Sequence, residues 1–91
     1  MSKPREAWYS YTRNVTKRYP NNVHEVENEA VKKALTDADA VTLDLVQIIY
    51  LKKINNLPEA ARRCFVSEAT ARRKTSRFFR EVAKNLGLPT N

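Results

Sequence analysis

Residues 57–86 read LPEAARRCFVSEATARRKTSRFFREVAKNL, and this stretch decides the fold. Pro58 suits the first turn of a helix, where its missing N–H has no intrahelical partner to lose, so a short helix is predicted there. Ser67 is a favourable N-cap for a second, longer helix, and Gly87 suits the end of that helix. The pattern of short helix, tight turn and long helix predicts a helix-turn-helix.

The long helix has two chemically different faces on a helical wheel of about 100° per residue. Its apolar side, which should face the core, carries Ala71, Thr75, Phe78, Phe79, Val82 and Leu86. Its other side carries Ala69, Arg73, Ser76, Arg77, Arg80 and Lys84, with Arg72 and Lys74 at the flanks. One apolar face and one basic face indicate a helix that packs on a core and presents arginine to a partner.

The net charge of +7 is divided unevenly along the chain. Residues 1–51 carry seven Lys/Arg and seven Asp/Glu, whereas residues 52–91 carry ten Lys/Arg and three Asp/Glu. The whole positive surplus therefore lies in the half that contains the helix-turn-helix pattern. Localised positive charge attracts a polyanion and releases its counterions on binding, so double-stranded DNA is the predicted partner.

Three more helices are predicted before this stretch. Residues 4–18 place aromatic and apolar side chains at helical spacing, and we interpret this stripe as a core face rather than a base-stacking surface. Residues 23–35 form a second helix, capped by Asn21-Asn22, with Val23 and Val26 on its apolar face. Residues 43–54 form a third, capped by Thr42 and apolar on several sides, which indicates the most buried helix.

The predicted fold is therefore all-α, one small domain of about five helices. Residues 1–56 supply support helices, and residues 57–88 form the helix-turn-helix. Since only one Gly is present in 91 residues, no Gly-rich phosphate loop exists, and an enzyme is the weakest interpretation. Cys64 has no histidine in its local segment and His24 stands alone, so neither a catalytic pair nor a metal or cofactor site is expected.

No apolar run approaches the ~20 residues that a membrane helix needs, and the Met1 end is polar, so neither a membrane span nor a signal peptide is expected. A single cysteine fits a reducing, intracellular setting, so a cytoplasmic location is predicted.

Helix-turn-helix proteins place the first turns of the second helix against base edges and use later residues and the preceding helix for phosphates. The candidates for base contact are accordingly Ser67, Glu68, Ala69, Arg72, Arg73 and Arg77. The candidates for phosphate contact are Lys52, Lys53, Arg62, Arg63 and Arg80.

The segment EAARRCFVSEATARRKTSRFF resembles the helix-turn-helix of sigma-70 region 4, over about a third of the chain. The wider layout, with an aromatic segment ending RYP and later YLKKINNLPEAA, VSEATARR and VAKNLGL, is similar to small phage and prophage transcriptional regulators of the ArpU and RinA type. The resemblance implies a sigma-like, DNA-binding activator, with RNA polymerase as a second partner. It leaves open whether the protein forms a homodimer.

Two residues depart from the sigma-like pattern. Phe65 stands where the turn often has Gly, so either the backbone there is not left-handed or Phe65 accepts strain to fill an apolar gap. Lys74 occupies a position that is usually apolar, so its stem is expected to run along the edge of the core.

Two other functions remain open from the sequence. One is a DNA-recognition subunit for phage packaging or recombination, similar to the head domain of a small terminase. The other is a protein-binding anti-activator that presents Trp8, Tyr9 and Tyr11 to its partner.

Overall fold

The computed structural model describes residues 7–51 and 56–89, and these residues form five α-helices and no strand. The helices are α1 (Ala7–Arg18), α2 (Glu25–Asp37), α3 (Ala40–Val46), α4 (Leu57–Arg63) and α5 (Glu68–Asn85). A π-helical segment, Gln47–Leu51, continues α3. The all-α prediction is confirmed. The predicted start of the first helix at Pro4 and the predicted end of the third at Ile54 lie outside the described residues.

The long helix α5 is the centre of the structure, because it packs against all four other helices. Its own residues Phe78 and Phe79 are buried on its inner face, as the helical wheel predicted. The Phe79 ring meets the Tyr9 and Tyr50 rings edge-on, with centroids 5.3 and 5.2 Å apart. The first core cluster, which surrounds these rings, comprises Val15, Ala30, Val31, Ala34, Val46, Phe78, Phe79 and Val82.

A second core cluster joins α4 to α5 and α3, and it comprises Leu45, Ile49, Ala60, Ala61 and Ala71. Three of its members are alanines, whose small side chains let two helix backbones approach closely. The short α4 is thus held directly against the first half of α5, and this contact sets the angle between the two helices.

The start of α2 differs from the prediction. The helix begins at Glu25, and Val23 and Val26 are 93% and 62% exposed instead of facing the core. Asn22 does not cap the helix; its buried side chain donates to the Asn28 Oδ1 at 2.8 Å and to the Val15 carbonyl at 3.0 Å. Because this asparagine pair occupies the inner side of α2, the two valines are rotated outward.

The inner face of α1 is also shifted from the predicted stripe. Tyr11 is 40% exposed, and its hydroxyl donates to the carboxylate of Glu27 on α2. Thr12 and Thr16 are fully buried in its place. Their hydroxyls donate to carbonyls one turn back, 2.8 Å to Trp8 O and 2.8 Å to Thr12 O, so that no extra partner is needed in the core.

The prediction that Thr42 caps the third helix is wrong. Asp39 is the N-cap of α3, and its carboxylate accepts a hydrogen bond from the Thr42 backbone N–H at 2.7 Å. The helix therefore begins at Ala40, before the predicted start at 43. A carboxylate at the N-terminal end of a helix also interacts favourably with the helix dipole.

Candidate nucleic-acid interface

The turn between α4 and α5 is closed by two backbone hydrogen bonds that define a Schellman motif. The Phe65 N–H donates to the Arg62 carbonyl at 3.1 Å, and the Val66 N–H donates to the Ala61 carbonyl at 3.0 Å. Val66 packs against the second core cluster, which supplies the apolar contact that accompanies this motif. The short helix, the turn and the start of the long helix therefore form one fixed unit.

Phe65 occupies the left-handed position of this motif, with φ +59°. The sequence left open whether the backbone at Phe65 is left-handed. It is left-handed, and therefore strained, but the ring does not fill an apolar gap as expected. The side chain is 94% exposed. Phe65 therefore accepts the strained conformation without gaining burial.

Ser67 is the N-cap of α5, as predicted. Its hydroxyl oxygen accepts from the Thr70 N–H at 3.0 Å, and the hydroxyl group also lies 3.0 Å from the Thr70 Oγ1. The Arg73 guanidinium in turn donates to Thr70 Oγ1 at 3.2 Å. Ser67 is exposed, but its hydroxyl is engaged in capping, so its main effect is to fix the first turn of α5 and, through Thr70, the position of Arg73.

The outer face of α5 is exposed along the whole helix. Its exposed residues are Glu68, Ala69, Arg72, Arg73, Arg77, Arg80 and Lys84. Arg72, Arg73, Arg77 and Arg80, together with Ser76, line one shallow groove of about 500 Å³. We call these four arginines the basic face. They converge on one open surface of a helix of 18 residues, or about 27 Å.

Arg72 and Arg80 of the basic face, like Arg73, have partners that set their positions. The Arg72 guanidinium lies 3.9 Å from the Glu68 carboxylate, one turn earlier on the exposed surface. The Arg80 guanidinium lies over the ring of Trp8, 5.2 Å from its centroid, so α1 supports the far end of the basic face. The side chains are thus partly oriented before any ligand is bound.

Lys74 is only 31% exposed and does not belong to the basic face. Its stem runs along the edge of the structure as predicted, and its ammonium lies 3.1 Å from Asp39 Oδ2. Hydrogen bonds from Thr42 and then from Lys74 lower the pKa of Asp39 to about 2. The positive charge of Lys74 is therefore compensated by Asp39 within the protein.

Arg62 and Arg63 of α4 are exposed, as expected for phosphate candidates, but they share an acidic partner. Glu59 pairs with the Arg62 guanidinium and, at 3.0 Å, with the Arg63 Nε. An anion at this end of the interface would have to compete with Glu59. The other two phosphate candidates, Lys52 and Lys53, lie outside the described residues.

Thr70 and Ser76 are not among the contact residues predicted from the sequence, and Trp8 is predicted only as a core residue or a protein-binding one. Ser76 was on the basic side of the wheel, and the Ser-x-x-Thr spacing after the turn could have indicated Thr70. The contact between Trp8 and Arg80 joins residues far apart in the chain, and no local pattern reveals it.

The surroundings of Cys64 do not activate its thiol. Burial, and then the nearby charge of Asp44, raises the pKa of the Cys64 thiol, which disfavours the nucleophilic thiolate. Cys64 is half-buried. Within residues 7–51 and 56–89, no group of three or more His, Cys, Asp or Glu side chains is arranged to hold a metal ion.

No helix in the described part of the chain is long and apolar enough to cross a membrane.

Comparison of the chain with protein-family models, with curated proteins and with solved structures finds no match.

Proposed function

We propose that this protein is a sequence-specific regulator of transcription that binds double-stranded DNA with α5 in the major groove. The observation that carries the proposal is the basic face, four arginines on one exposed surface of a helix that is fixed to a shorter helix by a closed turn. A polyanion matches this charge, and the major groove of DNA, about 12 Å wide, admits one α-helix.

The residues divide by their position along α5. Arg72, Arg73 and Arg77 are the candidates for base edges, because arginine can donate two hydrogen bonds to O6 and N7 of guanine. Ala69 is small and exposed in the first turns, and it allows the helix to approach the bases closely. Glu68 can accept from a cytosine amino group.

Arg80, Arg62 and Arg63 lie at the two ends of this surface and are the candidates for phosphate. Arg80 is held beside α1, and the other two are on α4. Phosphate contacts fix the register of a protein on the duplex without reading sequence. Arg62, Arg63 and Arg80, at the ends of the surface, therefore contribute mainly to affinity. Arg72, Arg73 and Arg77, in its middle, contribute mainly to sequence specificity.

The resemblance of residues 59–79 to sigma-70 region 4 supports regulation of transcription, and the wider layout supports a phage or prophage protein of the ArpU or RinA type. In this proposal the protein has no enzymatic activity and works in the cytoplasm of the bacterial host. RNA polymerase would be its second partner, contacted through α1 to α3.

The anti-activator alternative needs an exposed aromatic surface on α1. Trp8 and Tyr9 instead pack against the first core cluster, and only Tyr11 is substantially exposed. A packaging or recombination subunit would use the same basic face, so the fold does not separate it from a regulator. Light scattering does so, since a ring-sized mass would favour the packaging role.

Selection of bound duplexes from a random pool tests the proposal. The expected result is enrichment of one sequence, with an affinity that falls steeply as the salt concentration rises. A palindromic sequence would indicate a dimer that reads two half-sites. Retention of no duplex at low salt would contradict the proposal, and retention without enrichment would contradict sequence specificity.

A further inference from the structure

Phe65 combines two unfavourable features, a left-handed backbone and an aromatic ring that is 94% exposed to solvent. A side chain with a Cβ is strained at φ +59°, and glycine is the usual residue at this position of a Schellman motif. Exposure of an aromatic ring to water is unfavourable as well. The isolated fold therefore gains nothing evident from phenylalanine here.

The end of α5 gives an internal comparison, because it has the same motif. The Gly87 N–H donates to the Lys84 carbonyl at 3.0 Å and the Leu88 N–H donates to the Ala83 carbonyl at 2.9 Å. These bonds correspond one for one to those that close the α4 turn. The left-handed residue at this second turn is Gly87, with φ +77°. One chain thus makes the same turn with Gly at one site and with Phe at the other.

The two turns differ in their surroundings. The turn at Phe65 lies between the exposed arginines of α4, Arg62 and Arg63, and the exposed first turn of α5. This is the end of α5 that the proposed function places in the major groove. Apart from its phosphates, duplex DNA offers apolar carbon there, the C5-methyl group of thymine and the deoxyribose.

We propose that Phe65 is a DNA-contact residue, whose ring packs against apolar carbon of the duplex beside the groove that α5 enters. The inference rests on the proposed DNA-binding function and adds to it an apolar contact that the charged residues cannot make. Flanking positive charge makes DNA the favoured occupant, because the end of α4 carries Arg62 and Arg63 against the single carboxylate of Glu59 and so keeps a net positive charge that draws a polyanion. The ring loses its water on binding, which offsets its exposure in the free protein.

The variants Phe65→Gly and Phe65→Ala separate the ring from the backbone strain. Both remove the ring, but only glycine relieves the strain. We expect Phe65→Gly to raise the melting temperature, so any loss of DNA binding cannot result from unfolding. Both variants should bind the selected duplex about 5- to 20-fold more weakly than the parent protein. The slope of log affinity against log salt should stay unchanged, because the ring releases no counterions.

Duplexes in which uracil replaces thymine identify the carbon that the ring touches. If the parent loses affinity on the uracil duplex and the two variants lose none further, the contact is the thymine methyl group. If both variants bind weakly and uracil has no effect, the contact is deoxyribose. Binding by both variants as tight as that of the parent would overturn the inference. Failure of the parent protein itself to bind DNA would instead contradict the proposed function.

Discussion

Lys74 Nζ lies 3.1 Å from Asp39 Oδ2, and this ion pair joins the middle of α5 to the first residue before α3. The same carboxylate caps α3 through the Thr42 N–H. Asp39 thus caps the start of α3 and also pairs with a side chain of α5. The pair keeps Lys74 at the edge of the core while the arginines on either side of it remain exposed.

Substitution of Asp39 should show these two effects separately. Asparagine is as good an N-cap as aspartate but carries no charge, so Asp39→Asn should lower the free energy of unfolding by only about 0.2–1 kcal/mol. Asp39→Ala loses the cap as well and should cost about 1–2 kcal/mol in all. Urea unfolding of both variants measures the difference. Equal losses would show that the cap contributes nothing.

The stability of the protein should depend on acid through the same carboxylate. The pKa of Asp39 is lowered from its ordinary value of 3.8 to about 2, so the folded state favours the ionised form. This contribution is present above the unfolded pKa and is lost as the pH falls through the folded pKa. The stability difference between the parent and Asp39→Asn should therefore shrink as the pH falls below about 4 and be nearly absent near pH 2. A difference that stays constant over this range would contradict the assignment.

Phe79 should be essential to the fold, whereas Phe65 should not. Phe79 is fully buried, and its ring contacts three other aromatic rings, so Phe79→Ala should lower the free energy of unfolding by about 3–5 kcal/mol. Phe65→Ala is the matched control, because it removes the same kind of ring from a solvent-exposed position. It should change the free energy of unfolding by less than about 0.5 kcal/mol. Denaturant unfolding monitored by circular dichroism compares the two, and similar losses would contradict the described core.

Glu59 should weaken DNA binding in the parent protein. It pairs with both arginines of α4, so Glu59→Gln leaves two guanidinium groups available for phosphate with little change in side-chain size. We expect tighter binding to duplex of any sequence and a salt dependence steeper by up to about one unit of slope. The exposed pairs contribute little to folding, so stability should fall by less than about 1 kcal/mol. An unchanged slope would show that α4 does not reach the backbone.

The features that the sequence predicted correctly are local ones. The two faces of α5, its cap at Ser67 and its end at Gly87 follow from residue types at fixed spacing within one helix. Such features depend on neighbours a few residues away, and the helical repeat makes them visible in the chain.

The errors and omissions arose where hydrogen bonds between side chains determine which residues are buried or paired. Val23 and Val26 have the spacing of a core face, yet the hydrogen-bonded pair of Asn22 and Asn28 takes the inner position. The acidic partner of Lys74 is 35 residues away in the chain. No local pattern identifies such a partner, since it depends on how the helices are placed relative to one another.

A charge-matched pair of double variants tests whether the basic face of α5 binds duplex DNA. Arg73→Ala/Arg77→Ala removes two positive charges from this face, and Lys32→Ala/Lys33→Ala removes two exposed positive charges from α2. Duplex affinity is measured for both and for the parent protein as a function of salt. The arginine variant should lose at least about tenfold in affinity for the selected sequence and much of its preference for that sequence, while the lysine variant should bind nearly as the parent does. Equal losses in the two variants, or no loss in the arginine variant, would contradict binding through the basic face.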